Sequence, residues 1–152
     1  MLDKLFRILW PLGTTLFALI ILTLLILKDP RAGLIGLGVY SGASILEWKL
    51  KKIINRKRPF LTITHIVMNQ PRKPLDASFP SGDTFRAWFL AFSVPMVFHL
   101  QWPYTILFFL AASMIMLGRI AMGVHYPLDT IGGMGIGTLA SGIYLLCLGH
   151  GI

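Results

Sequence analysis

The chain has 152 residues, of which 55% are hydrophobic and only 13% are charged, and its mean hydropathy is +0.73. Soluble domains carry about a quarter charged residues, so this composition excludes an ordinary soluble globular protein. The net charge of +8 does not indicate nucleic-acid binding, because eight of the fourteen Lys and Arg residues lie between Lys49 and Lys73, beside apolar segments. The expected partners are the lipid bilayer and anionic lipid headgroups.

Five apolar segments predict an all-α fold, an integral membrane helical bundle of about five transmembrane helices. The uncharged run from Ile8 to Leu27 is twenty residues long, which is enough to cross the hydrocarbon core. We expect one transmembrane domain over residues 1–152, and small residues four apart in Gly38-x-x-x-Gly42 and Gly133-x-x-x-Gly137 predict close helix packing. The predicted helices cover about residues 6–27, 32–50, 82–101, 104–122 and 127–149.

The second helix leads into the basic segment KKIINRKRP at residues 51–59. If the helix continues past Trp48, Lys51 and Arg58 lie seven residues apart on one face, and Pro59 then ends the helix. Arg58 offers a planar fork that matches phosphate oxygens, and Lys51 adds a point charge. A basic cluster beside a membrane helix also fits a role in topology or in contact with anionic lipid.

The third helix begins at the sequence PSGD, residues 80–83. Ser81 suits the N-cap position, which leaves the first backbone amides of the helix free near its positive end. Such a helix start binds anions, and Gly82 allows a phosphate to approach the backbone closely. Taken alone, the segment also fits a serine that merely starts a helix.

Cations and a histidine lie around the fourth and fifth helices. Arg119 interrupts an otherwise uncharged span, where an arginine costs on the order of 2.5–3.5 kcal/mol and so predicts a partner or ligand. Arg86, near a helix end, fits a ligand or snorkelling to the interface. His125 and Asp129 are four residues apart, so the carboxylate could fix the imidazole tautomer and leave the other ring nitrogen as a nucleophile.

All three motifs adjoin helix ends, and an up-and-down topology places them on one side of the membrane. Together they resemble the type 2 phosphatidic-acid phosphatase family, whose pattern is K-x6-RP, then PSGH, then SR-x5-H-x3-D. Lys51, Arg58 and Pro59 match the first motif, and Arg119, His125 and Asp129 match the third at the right spacing. Gly118 replaces the serine of the third motif.

The resemblance implies a metal-independent lipid phosphatase that needs no cofactor. On this reading His125 attacks phosphorus and forms a phosphohistidine, and Asp129 orients it. The remaining matched positions, Lys51, Arg58, Arg119, Ser81 and Gly82, would bind the phosphate. The chain has six acidic residues, and only Asp83 and Asp129 fall in the motifs, which is few for a two-metal site.

Asp83 stands where the family has the histidine expected to protonate the leaving oxygen. An aspartate has an ordinary pKa of about 3.9, and in its ionised form it repels phosphate and donates no proton. Asp83 is therefore either a naturally altered catalytic acid or a substitution that disables the enzyme. Loss of general acid catalysis typically costs about 10²–10⁴-fold in rate.

The resemblance further implies a bacterial inner-membrane enzyme with its site on the periplasmic face, whereas the positive-inside rule applied to residues 49–73 favours the cytoplasmic face for that loop. Its candidate substrates are lipid A 1-phosphate, phosphatidylglycerol phosphate and polyprenyl diphosphate, with headgroup selection expected from His65, Arg72 and Lys73. One rival hypothesis is a catalytically silent lipid-phosphate binder. Another is a small helical subunit of a larger assembly, for which the oligomeric state is open.

Overall fold

The computed structural model describes residues 10–70 and 72–149, and no strand occurs within these ranges. The five long helices agree with the predicted five. Two of them are long and apolar enough to span a membrane, and the first is a shorter apolar helix. A 3-10 turn at Trp10–Gly13 precedes α1 (Thr15–Lys28), α2 (Pro30–Ile54), the short α3 (Pro59–Thr62), α4 (Gly82–Val97), α5 (Trp102–Ala121) and α6 (Pro127–Leu148). The two helices that are long and apolar enough to span a membrane are α5 and α6.

Within the described residues, the first α-helix begins at Thr15, later than predicted. Residues 6–9 lie outside the described part of the chain, and the 3-10 turn then separates them from α1. The Thr14 hydroxyl oxygen caps α1 by accepting from the Phe17 N–H at 3.4 Å. A Cβ built on Gly13 would lie 3.0 Å from the Cβ of Asp83, so the turn packs directly against the start of α4.

The first two helices form a tight hairpin around Asp29. The Asp29 carboxylate accepts from the Ala32 N–H at 3.1 Å and caps the start of α2. A Cβ on Gly33 would come within 2.4 Å of the Ile26 backbone, so only glycine permits this approach. Helix α2 then continues past the predicted end and stops at Asn55, whose left-handed backbone has φ 43°.

Helix α4 packs against α6 through the predicted glycine pair. A Cβ on Gly133 would lie 2.3 Å from the Ser81 carbonyl oxygen, and one on Gly137 would lie 2.5 Å from the Phe85 carbonyl oxygen. These contacts confirm the close packing predicted for that pair. The prediction is wrong for Gly38 and Gly42, because added Cβ atoms there would meet nothing within 4 Å among the described residues.

An aromatic cluster fills the centre of the bundle. The rings of Tyr40 and Phe85 stack with their centroids 5.8 Å apart, and the ring centroids of Phe89 and Tyr144 are 6.0 Å apart. The Tyr144 hydroxyl donates to the Ala32 carbonyl at 3.1 Å, which satisfies its buried polar end. Large apolar side chains such as Leu107 and Leu139 are exposed on the outside, as expected for a lipid-facing surface.

Candidate active site

A cleft of about 790 Å³ opens where α2 and α5 end and where α4 begins. The motif residues Lys51, Arg58, Gly82, Asp83, Arg119 and His125 all line it, so segments remote in sequence meet in one place. The lining carries seven cations, namely Lys51, Lys52, Arg58, Arg72, Lys73, Arg86 and Arg119. It also carries three carboxylates, those of Glu47, Asp76 and Asp83. The cleft is therefore strongly cationic, as a phosphate site requires.

Lys51 and Arg58 reach the cleft by a different route from the predicted one. The prediction that they share one helix face is wrong, because α2 ends at Ile54. Pro59 begins α3 instead of ending α2. The left-handed turn at Asn55 lets the chain return to the cleft. There the Arg58 side chain is buried, and its Nη1 donates to the Val124 carbonyl oxygen at 3.0 Å.

His125 lies in the link between α5 and α6, with Nε2 3.2 Å from Arg58 Nη1. A guanidinium only donates, so Nε2 must accept and the ring proton belongs on Nδ1. Burial lowers the pKa of His125 to about 4; the pairing with Asp129 opposes this shift, and the nearby Arg58 and Arg119 charges add to it. The imidazole is therefore neutral at physiological pH, with a lone pair on Nε2.

Asp129 lies behind His125, as the four-residue spacing predicts. Its Oδ2 is 3.7 Å from His125 Nδ1, which is a contact longer than a hydrogen bond, and it also accepts from the Tyr126 N–H at 2.8 Å. Its Oδ1 accepts from Arg56 Nη1 at 2.9 Å, and the Arg56 guanidinium lies over the Tyr126 ring at 4.0 Å. Sequence reasoning missed Arg56, because nothing distinguishes it within the basic run.

The start of α4 is built differently from the predicted serine cap. Ser81 occupies the N-cap position, but its hydroxyl accepts from Thr84 Oγ1 at 3.0 Å instead of capping the backbone. Its N–H donates to the Asp129 carbonyl at 2.8 Å, so Ser81 ties α4 to α6 from a fully buried position. Gly82 does line the cleft, and a Cβ there would lie 2.8 Å from the Glu47 carboxylate.

Arg119 lies in the last turn of α5 and lines the cleft. Its side chain is 4% exposed and its Nη2 donates to Gln70 Oε1 at 2.5 Å. Nη2 also lies 3.1 Å from Asp83 Oδ2. Within the described residues Nε and Nη1 are buried without a hydrogen-bond partner. Because buried arginine donors are nearly always satisfied, these two atoms are available to an acceptor that enters the cleft.

Asp83 is paired with two arginines. Its Oδ1 lies 3.4 Å from Arg86 Nη1, in addition to the contact with Arg119. Arg86 lines the cleft, and its Nε donates to the Tyr40 hydroxyl at 3.2 Å, so it does not snorkel to the interface. The carboxylate at the position of the family's histidine thus neutralises cations that would otherwise be open to phosphate.

Two further carboxylates at the cleft were not predicted. Glu47 Oε1 lies 2.9 Å from Lys51 Nζ, a pair that the four-residue helical spacing could have indicated. Asp76 bridges Lys51 and Arg58, and it comes from a loop that offers no sequence signal. Burial raises the pKa of Asp76, but the hydrogen bonds and charges of Lys51 and Arg58 outweigh this and lower it to about 2.

The remaining expectations concern headgroup selection and metals. Arg72 and Lys73 line the cleft, whereas His65 is not among its lining residues. In the part of the chain that the structure describes, no group of three or more His, Cys, Asp or Glu side chains is placed to hold a metal ion. The four carboxylates around the site are instead each paired with cations.

Comparison with known proteins identifies the family of this chain. The sequence model of the PAP2 superfamily matches residues 16–150. An Escherichia coli (strain K12) protein named "Putative undecaprenyl-diphosphatase YbjG" is 33% identical over 110 residues, which are 69% of this chain and 52% of that protein. The chain therefore spans about half the length of that curated relative.

Two crystal structures are similar to the fold. LpxE from Aquifex aeolicus aligns with a TM-score of 0.84 and 28% identity, covering 95% of this chain and 86% of that chain. A transmembrane PAP2-type phosphatidylglycerolphosphate phosphatase from Bacillus subtilis aligns with a TM-score of 0.76 and 22% identity, covering 98% of this chain and 76% of that chain. The second likeness supports the fold alone, and both confirm the predicted helical membrane bundle.

Proposed function

Because the chain belongs to the PAP2 superfamily, we propose that it is a lipid phosphatase that removes a terminal phosphate from a membrane lipid through a phosphohistidine at His125. The observation that carries the proposal is the pairing of two groups in one cationic cleft. Arg119 has two buried, unsatisfied donors among the described residues, and His125 has an unprotonated Nε2. One group supplies phosphate binding, and the other supplies a nucleophile.

The reaction follows from these positions. The lone pair on His125 Nε2 attacks phosphorus, and the bond between phosphorus and the lipid oxygen breaks. The lipid oxygen leaves with the bonding electrons and takes its proton from water at the open cleft. The Nδ1 proton remains held toward Asp129, which stabilises the imidazolium character that develops. Arg119 and Lys51 stabilise the charge on the equatorial phosphate oxygens, with the Gly82 amide at the positive end of α4. Water then cleaves the phosphohistidine and releases inorganic phosphate.

The substrate class follows from the cleft and from the names of the relatives. The candidate lipids are lipid A 1-phosphate, phosphatidylglycerol phosphate and polyprenyl diphosphate, all of which present a terminal phosphate. The last two are the substrate classes in the names of the Bacillus and Escherichia coli proteins. We place the enzyme in a bacterial inner membrane with the cleft facing the periplasm, and we propose a metal-independent mechanism because the carboxylates are committed to cations.

A second candidate function is a lipid-phosphate binder that does not turn over. It is favoured by one observation, the ion pairing of Asp83 with Arg119 and Arg86 at the position of the proton donor. A carboxylate held in this way donates no proton to the leaving oxygen. The binder would retain phosphate affinity and release no phosphate.

Phosphate release from a panel of lipid phosphates in detergent tests both candidates. For the phosphatase, we expect His125→Ala to abolish release, whereas the control His65→Ala, an exposed histidine outside the cleft lining, retains it. Activity should also persist in excess chelator. Release that survives His125→Ala would refute the phosphohistidine mechanism, and retained phosphate binding without release would support the binder.

A further inference from the structure

Asp76 lines the cationic cleft and bridges two of its cations. Its Oδ2 makes a hydrogen-bonded ion pair with Lys51 Nζ, and its Oδ1 accepts from Arg58 Nη2 at 2.7 Å. Its backbone carbonyl also accepts from Arg58 Nε at 2.9 Å. A single loop residue thus holds two of the three cations that we assign to the phosphate.

Arg58 has no donor left for a substrate while Asp76 is in place. Nε and Nη2 donate to Asp76, and Nη2 has a second acceptor in the Ala77 carbonyl at 3.4 Å. Nη1 donates to the Val124 carbonyl and faces His125 Nε2. Because a guanidinium has five N–H donors, these acceptors account for all of them. An anion can reach Nη2 of Arg58 only by displacing the Asp76 carboxylate, whereas Nη1 becomes available once His125 Nε2 attacks phosphorus.

The position of Asp76 allows its carboxylate to move away from Lys51 and Arg58. Its side chain is 53% exposed, and it belongs to residues 72–77, which contain no helix. The chain is fastened just beyond it, where the Ser78 N–H donates to the Arg56 carbonyl at 2.8 Å and Ser78 is fully buried. The carboxylate can therefore turn toward solvent while that anchor stays fixed.

The charge of the entering anion decides whether the exchange is favourable. A phosphodiester carries one negative charge and two free oxygens, so it replaces Asp76 without any gain in charge. A phosphomonoester at neutral pH carries close to two charges on three oxygens. It therefore gains attraction to Lys51 and Arg58 that the departing carboxylate did not have.

We propose that Asp76 is a specificity-determining residue, which excludes the phosphodiesters of the surrounding bilayer from the cleft and yields to terminal phosphate dianions. The proposal rests on the phosphate-binding function proposed above. Without such a competitor, the unpaired Lys51 and Arg58 would bind the headgroups of ordinary phospholipids, which are present at high local concentration in a membrane. Asp76 offsets part of the charge of Lys51 and Arg58 and gives way to the doubly charged substrate.

The test compares the binding of two soluble probes to the full chain in detergent. Inorganic phosphate at about pH 8 represents the dianion, and diethyl phosphate represents the diester monoanion; titration calorimetry gives both dissociation constants. In the unaltered protein we expect phosphate to bind at least tenfold more tightly than diethyl phosphate. Asp76→Asn should strengthen diethyl phosphate binding by roughly tenfold more than phosphate binding, so that the selectivity ratio falls toward unity.

Two variants control for charge and for folding. Asp29→Asn also removes one negative charge, but at the helix cap between α1 and α2, where asparagine caps as well as aspartate; the selectivity ratio should not change. Asp76→Glu keeps the carboxylate and should retain the preference for phosphate. Release of phosphate from lipid should still require His125 in every variant.

An unchanged selectivity ratio in Asp76→Asn, in a protein that still binds phosphate and hydrolyses lipid phosphate, overturns this inference and leaves the proposed function intact. An equal fall in Asp29→Asn also overturns it, because the effect would then be one of net charge. If the unaltered protein binds neither probe and releases no phosphate, the proposed function fails, and this inference fails with it.

Discussion

Replacing Asp83 by histidine tests whether this chain lacks a proton donor or uses a different one. The carboxylate lies 3.1 Å from Arg119 and 3.4 Å from Arg86, so it pairs with cations at the proposed phosphate site. Asp83→Asn removes only the charge, whereas Asp83→His removes the charge and adds a general acid. The pair of variants therefore separates phosphate binding from proton transfer.

The expected magnitudes differ for the two parameters. Freeing Arg119 from its carboxylate should lower KM by about tenfold in both variants, which corresponds to about 1.4 kcal/mol. Protonation of the leaving oxygen is typically worth about 10²–10⁴-fold, so kcat should rise by that factor in Asp83→His relative to Asp83→Asn. Its pH profile should gain a limb near the ordinary histidine pKa of about 6.5, above which the new acid is deprotonated.

The assay measures phosphate release from a lipid phosphate in mixed micelles over a range of pH. An aryl phosphate serves as an internal control, because its good leaving group needs no proton and the advantage of Asp83→His over Asp83→Asn should disappear. Equal kcat values for the two variants on the lipid substrate would refute the reasoning. Rapid turnover by the unaltered chain with no gain from histidine would instead identify Asp83 as a working acid.

Three further predictions concern the supports of the site. Gly137→Val should destabilise the bundle by about 1–3 kcal/mol or more, because its Cβ would lie 2.5 Å from a backbone oxygen. Thermal unfolding in detergent measures this change. The control Gly135→Ala, which adds a Cβ in open space, should not lower the melting temperature. Arg56→Gln should lower kcat with little change in KM, because Arg56 forms an ion pair with the buried Asp129 and does not itself line the cleft. An equal loss of kcat in Lys57→Gln would contradict this role. The pKa of His125 is about 4 in the folded protein and about 6.5 in the unfolded chain, so the unfolded state binds more protons between these pH values. The free energy of unfolding should therefore fall by about 3 kcal/mol as the pH is lowered from about 6.5 to about 4. His125→Gln should remove this pH dependence, and a slope that persists in that variant would assign it to other groups.

The helices and the motif residues were predictable because they depend on local chemistry. Apolar runs of membrane length fixed the number of helices, and the spacing of His125 and Asp129 placed one residue beside the other across a single helix start. Gly133 and Gly137 predicted the α4–α6 contact because only small residues allow backbones to approach so closely. Where the prediction relied on a continuous helix, as for Lys51 and Arg58, the left-handed turn at Asn55 made it wrong.

The partners of each charge were decided by the tertiary structure. Nothing in the sequence places Asp76 between Lys51 and Arg58, Gln70 on Arg119, or Arg56 on Asp129, because each contact joins segments separated by at least eighteen residues. The sequence thus determined that cations, a histidine and a helix start would meet at one end of a membrane bundle. Only the folded chain decided which cations are already neutralised, since ion pairing depends on distances of a few ångströms that loops set and that local patterns do not encode.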